Sequence, residues 1–176
     1  MPAREPPKRL SDKLNAPTRE QQNIILTSSH SRSTPLRSEL ITLDKTAIVA
    51  FASQFDPQPY HLDKEAAEQS IFGGLCASGW HIAAMATRLV SETLIESGLP
   101  FVEMVSVGHL KWARPTFVDE QISVRITLTD IPDESPIAET YIQAFDVEVC
   151  NGDGAVVAVM SAAAAIAQDS ARAVTS

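Results

Sequence analysis

Cysteine is scarce in this chain: Cys76 and Cys150 are the only two. Two thiols form no disulfide framework, and such usage fits a reducing compartment. Aromatic residues are also few, at 6%, while alanines abound, as in tightly packed helices. Basic charge is short too, with 14 Lys+Arg against 22 Asp+Glu and a formal net charge of −8. That balance argues against a nucleic-acid partner bound by neutralising phosphates. It still leaves room for a phosphorylated ligand at a few basic residues. Four scattered histidines offer no zinc spacing, so no metal is expected. Phosphate-binding glycine motifs of the G-x-G-x-x-G or P-loop type are missing. No apolar run reaches transmembrane length; the longest, Ala155 to Ala167, contains Ser161 and reads as a strand. The start lacks a charged-then-apolar signal profile. The expectation is a cytoplasmic protein without a membrane partner.

What is present is enough for one ordinary domain: 176 residues, 44% of them hydrophobic. Residues 1–35 hold five of the eleven prolines and six of the fourteen Lys+Arg, with only Glu5, Asp12 and Glu20 as acids. Apolar periodicity is almost absent there, apart from Ile24-Ile25-Leu26. A disordered basic tail is expected over 1–35; its acids and prolines weigh against an organelle transit peptide. The folded domain is expected over 36–168, with a frayed end at 169–176.

Leu36 to Leu43 reads as a first strand. Thr42 or Asp44 then caps a helix from Lys45 to about Gln54, whose Ala47, Ile48, Phe51, Ala52 and Phe55 share one face. Asp56-Pro57-Gln58-Pro59-Tyr60-His61 stops it. The two prolines restrict Asp56 and Gln58 as well as themselves and argue against a helix through the segment. Asp63 is an N-cap for a short helix ending near Gln69 or Ser70. Phe72 to Gly79 is a glycine-rich approach to a long helix, Trp80 to about Glu96. Its first half is apolar almost all round, so it should be wrapped by protein on most sides. Period-two patterns follow at about Phe101–Ala113, Gln121–Asp130, Ile137–Cys150 and Gly154–Ile166. Asn151-Gly152-Asp153-Gly154 is the clearest hairpin signal. Short turns between consecutive strands predict an antiparallel meander. The whole reads as an α+β domain, a sheet wrapped around a helix.

A rigid proline loop holds Asp56 and His61 at a defined separation, which acid–base chemistry requires. The plainer reading is that Asp56 caps the turn and His61 satisfies a backbone group. Gly79 opens the long helix, where the first N–H groups lack internal partners and carry the positive end of the dipole. A glycine there admits a substrate oxygen close to the backbone; tight packing is the other reason to have it. Ser78 is read first as the N-cap, with a hydroxyl that could also line a site. His81 is read as a satisfied core histidine. Cys76 lies near the loop without a charge that would mark a nucleophile. His109, Lys111 and Arg114, with Arg88, supply the local positive charge.

Phe51-Ala52, Asp56, Pro59, His61, Asp63, Ala66-Ala67, Phe72, Gly79 and the apolar helix resemble the MaoC-like dehydratase family, which includes the (R)-specific enoyl-CoA hydratases. The family's Asp-x-Asn-Pro-x-His motif falls on Asp56 and His61, and its helix-opening glycine on Gly79. The likeness extends from about Leu36 to Ile166. Departures are Gln58 for Asn, Phe55 for a small residue, Ser78 where many relatives have His, and Leu75 where many have Pro. The family also often reads Pro-x-x-x-Gly-Asp near the third strand, and Val118 is taken to replace that glycine.

The resemblance implies a hotdog fold and reversible hydration of an enoyl thioester to a 3-hydroxyacyl thioester. Asp56, His61 and the Gly79 N–H would be catalytic, with Gln58, Ser78 and Trp80 as substrate-binding residues. The acyl group would be carried by coenzyme A or a carrier protein, and no cofactor is implied. A homodimer or higher homo-oligomer is implied as well. Two alternatives stay open: a hotdog thioesterase, and a non-catalytic acyl-thioester-binding domain.

Overall fold

The structure, a computed structural model, describes residues 34–134 and 137–168. Of the tail expected over 1–35, residues 1–33 lie outside the described residues, as do 135–136 and the end expected over 169–176. Two short strands come first, β1 (Leu36–Arg37) and β2 (Ile41–Thr42), then α1 (Lys45–Phe55), α2 (Pro59–Leu62), α3 (Lys64–Glu68) and α4 (Gly79–Glu96). Four long strands follow: β3 (Phe101–Trp112), β4 (Gln121–Glu134), β5 (Thr140–Asn151) and β6 (Val156–Ala167). All pairings are antiparallel, in the order β1-β4-β5-β6-β3, with β2 also on β4.

The inner face of the sheet and α4 make the core. Ile122, Val124 and Ile126 of β4, Phe145 and Val147 of β5, and Met160 and Ala164 of β6 are buried with Ile82, Leu89, Val90 and Leu94 of the helix. Each such aliphatic side chain stabilises the fold by roughly 1.5–3 kcal/mol. Alanines at 158, 162 and 164 keep the inner face of β6 shallow. Asn151 and Gly154 (φ +80°) turn β5 into β6 as the hairpin signal anticipated. No described helix is long and apolar enough to cross a membrane.

Four expectations need correction. The expected first strand is broken in two. Ser38 donates its N–H to the Val124 carbonyl while its Oγ accepts the Val124 N–H, so a side chain takes a ladder position and Glu39-Leu40 bulge outward. The four long strands are not a simple meander. β3 pairs with β6 rather than β4, and residues 113–120 carry the chain across to the other side of the sheet. The proline loop does contain a helical turn, α2, because Pro59 occupies its first position, where a missing N–H costs nothing. Finally, the wrapping of α4 leaves one side open. Ala84, Arg88, Glu92 and Ile95 form an open stripe along it; alanine made that face look apolar.

Candidate active site

Asp56 is the C-cap of α1, and its N–H bonds the Ala52 carbonyl at 3.0 Å. Proline at 57 prevents the helix from continuing, so the carboxylate projects from an element end. One turn later, α2 presents His61, whose Nδ1 lies 2.8 Å from the Cys76 carbonyl. A carbonyl only accepts, so Nδ1 carries the proton. In the neutral ring Nε2 is then an acceptor, 3.5 Å from Asp56 Oδ2. The plain and the chemical readings of His61 therefore hold together: one nitrogen satisfies the backbone and fixes the tautomer, and the other faces the carboxylate.

Ser78 joins this pair to α4. Its Oγ accepts the Trp80 N–H at 3.2 Å, which is the expected N-cap, and donates to Asp56 Oδ2 at 2.6 Å. The residue is 0% exposed. Gly79 follows as the first helical residue, and among the described residues nothing accepts its N–H. Asp56, His61, Gly79 and Trp80 line one pocket of about 380 Å³. Its remaining wall includes Tyr60, Phe72, Cys76, Trp112, Arg114 and Thr116. The wall is largely apolar apart from the acid, the histidine and Arg114.

Of the three residues expected to bind substrate, Trp80 lines the pocket while Gln58 and Ser78 do not, Ser78 being fully buried behind Asp56. The exposed Gln58 sits at the N-cap of α2 and contributes backbone groups alone: its carbonyl accepts the His61 N–H at 2.9 Å and its N–H donates to the Asp56 carbonyl at 2.7 Å. His81 is buried as expected, at 6% exposure, but it is not satisfied: Nδ1 has no partner. Its ring stacks on Phe51 at 4.7 Å. Burial pushes its pKa down from the ordinary histidine value, with Asp44 pulling the other way. Burial likewise pushes the Cys76 thiol up, which makes it a poor nucleophile although its Sγ is 3.8 Å from His61 Nδ1. Arg88 is paired with Glu92 on the helix surface, and His109 and Lys111 are exposed on β3.

The crossover after β3 also differs from its reading. The left-handed residue is Asp119 (φ 66°), not Val118, and the Glu120 carboxylate takes the Phe117 N–H at 2.9 Å. Counted from Pro115, Asp119 and Glu120 occupy the Gly-Asp positions, while Val118 packs on the core. Trp112 and Thr116 had no pattern signal as pocket residues. Thr116 is buried with its Oγ1 unpartnered, and its carbonyl accepts the Ala77 N–H at 2.8 Å. Only the register between strand end and helix start brings these residues to Gly79.

Known proteins share this arrangement of sheet and helix. The MaoC-like dehydratase from Rhodospirillum rubrum superposes with a TM-score of 0.65 at 35% identity, covering 77% of this chain and 91% of that one. The (R)-hydratase from A. caviae involved in PHA biosynthesis gives a TM-score of 0.58 at 18% identity, covering 80% and 100%. Among curated proteins, YdeM of Bacillus subtilis is 27% identical over 103 residues, 57% of this chain and 68% of that one. The fold is the hotdog fold of these hydratases and dehydratases. The model of the MaoC like domain matches residues 27–143, and with the R. rubrum likeness it establishes that this chain belongs to the MaoC-like domain family.

Proposed function

We propose that the protein is a hydro-lyase that adds water reversibly to an enoyl thioester, giving a 3-hydroxyacyl thioester. The observation that carries the proposal is the convergence of two acceptors and a free helix-end donor on one apolar pocket. Asp56 Oδ2 and His61 Nε2 together hold a water by accepting its two protons. The water oxygen bonds to the β carbon as the double bond breaks, and one water proton passes to the Asp56–His61 pair. The pair returns a proton to the α carbon, so it ends as it began. Negative charge develops meanwhile on the thioester oxygen, and the Gly79 N–H, at the positive end of α4, stabilises it. Ser78 holds the carboxylate, and Trp80 and the other rings enclose the acyl group. The substrate is an acyl thioester of coenzyme A or a carrier protein, with Arg114 as the cation nearest the reacting groups.

The working unit is a homodimer in this proposal. Among the described residues β3 pairs on one side only, with β6, and its Val102, Val105 and Val107 are exposed. An unpaired apolar strand edge of that length needs a cover, and a second copy supplies a matching one. The test of function is hydration of enoyl-CoAs of several chain lengths, followed by loss of enoyl absorbance. Asp56→Asn and His61→Ala should each lower the rate by ~10²–10⁴-fold in folded protein. Near-wild-type turnover in either variant would remove that residue from the mechanism. Thiol release instead of water addition would identify a thioesterase, and binding without turnover a non-catalytic domain.

A further inference from the structure

Glycine at the start of α4 creates a difficulty for any role of its N–H. It is the residue with the loosest backbone, yet a useful oxyanion donor must be aimed before the substrate arrives. The neighbourhood of Gly79 shows what restrains it. The Trp112 indole Nε1–H donates to the Gly79 carbonyl at 2.8 Å. The same ring fills the space a side chain would take: a Cβ at Gly79 would meet Trp112 Cε2 and Nε1 at 2.7 Å and Cδ1 at 3.0 Å. Trp80 packs against the indole, with ring centroids 5.1 Å apart in an edge-on arrangement.

Burial does not explain this hydrogen bond. Trp112 is 41% exposed, so its indole is not buried where an N–H would need a protein acceptor. Its donor is directed to a helix carbonyl 33 residues away in sequence. Within the first turn, Ser78 Oγ holds the Trp80 N–H and the Ser78 carbonyl holds the Ile82 N–H. Among the described residues the N–H groups of Ser78, Gly79 and His81 have no acceptor, and of these three residues Gly79 lines the pocket.

We infer that Trp112 is a positioning residue: it stands in for the side chain Gly79 lacks and, by holding the Gly79 carbonyl and filling the space beside Cα, fixes the conformation of that residue so that its N–H is aimed at the thioester oxygen. The inference rests on the hydratase reading for what the N–H meets, but not for the restraint itself. Trp112→Phe keeps an aromatic ring and removes the donor. It should leave the thermal melt close to wild type and KM for crotonyl-CoA within about twofold. Its kcat should fall ~10-fold, a part of the 10²–10³ that deleting an oxyanion donor outright costs.

Two further readouts separate positioning from packing. Hexa-2,4-dienoyl-CoA absorbs at longer wavelength when its carbonyl oxygen accepts hydrogen bonds, so the shift on binding should shrink in the variant. In the free protein, the Gly79 amide should exchange its hydrogen faster in Trp112→Phe. If Trp112→Phe does not fold, 3-benzothienylalanine at position 112 alone preserves the shape and deletes only the donor. A folded variant with wild-type kcat, band shift and Gly79 exchange overturns the inference while leaving the hydratase reading intact. If the wild type neither hydrates nor shifts the band, the hydratase reading falls. The Gly79 amide then decides alone: faster exchange upholds the positioning role, and unchanged exchange overturns it.

Discussion

Ser78→Ala separates two tasks that one hydroxyl performs. The Oγ caps α4 through the Trp80 N–H and donates to Asp56 Oδ2. Losing a serine cap costs about 1 kcal/mol. A hydrogen bond to a charged group contributes about 1.5–3 kcal/mol, and the lower end applies because Asp56 is partly exposed and water can replace the donor. The expected loss is thus about 2–3 kcal/mol, measured by urea denaturation with the m-value checked for constancy. Ser78→Gly is the control. Glycine at an N-cap gives up only a few tenths of a kcal/mol, so it deletes the Asp56 contact while nearly keeping the cap. If the two tasks are as described, Ser78→Gly should be the more stable variant by roughly 0.5–1 kcal/mol. Both should lose hydration by a similar factor, ~10-fold or more, since both free the carboxylate. An Ala variant within 0.5 kcal/mol of wild type would refute the energetic assignment. Unequal activities of two folded variants would refute the idea that Ser78 acts through Asp56.

Two predictions concern groups outside the reacting centre. His81→Phe should stabilise the protein by about 1 kcal/mol, because it removes a buried nitrogen without a partner and keeps the stack on Phe51. The folded pKa of His81 lies below its unfolded value near 6.5, so the unfolded chain takes up the proton first and wild-type stability should fall as pH drops below that value. Denaturation at pH 7 and pH 5 checks this; an equal pH slope in His81→Phe would show that His81 is not the source. Val105→Lys on the open edge of β3 should shift the protein toward monomer in sedimentation without unfolding it. An unchanged sedimentation coefficient would place the dimer contact elsewhere.

Periodic elements were legible in the sequence, and contacts between them were not. The span of α1, the start of α4 near Gly79 and the β5–β6 hairpin follow from local patterns and turn chemistry. Of the face expected to be buried on α1, only Ile48 and Ala52 are buried, with Ala47 and Phe55 exposed. A period-two pattern does not name a strand's neighbour, which is why β3 was read beside β4. Ser38 shows another limit, since its side-chain place in the ladder depends on Val124, 86 residues away. The Asp56–His61 pair was visible because proline-stiffened spacing is a local property. The Ser78 bond to Asp56 spans 22 residues and has no spacing rule.

The residues gathered at the pocket share a structural trait that explains both their usefulness and their poor legibility. Asp56 is a helix C-cap, Ser78 an N-cap, Gly79 a first helical residue and Trp112 the last residue of a strand. Backbone groups at element ends lack ladder partners, so the fold leaves donors and acceptors there to be used. One is taken by a side chain: the Trp80 N–H by the Ser78 hydroxyl. Another, the Cys76 carbonyl in the loop before α4, fixes the tautomer of His61. The Gly79 N–H has no acceptor among the described residues and is the donor the proposed mechanism uses. An apolar periodicity describes the middle of an element and falls silent at its ends. Chemistry assembled from ends is therefore readable in sequence only where a rigid local motif, such as Asp56-Pro57-Gln58-Pro59-Tyr60-His61, brings two of its members together.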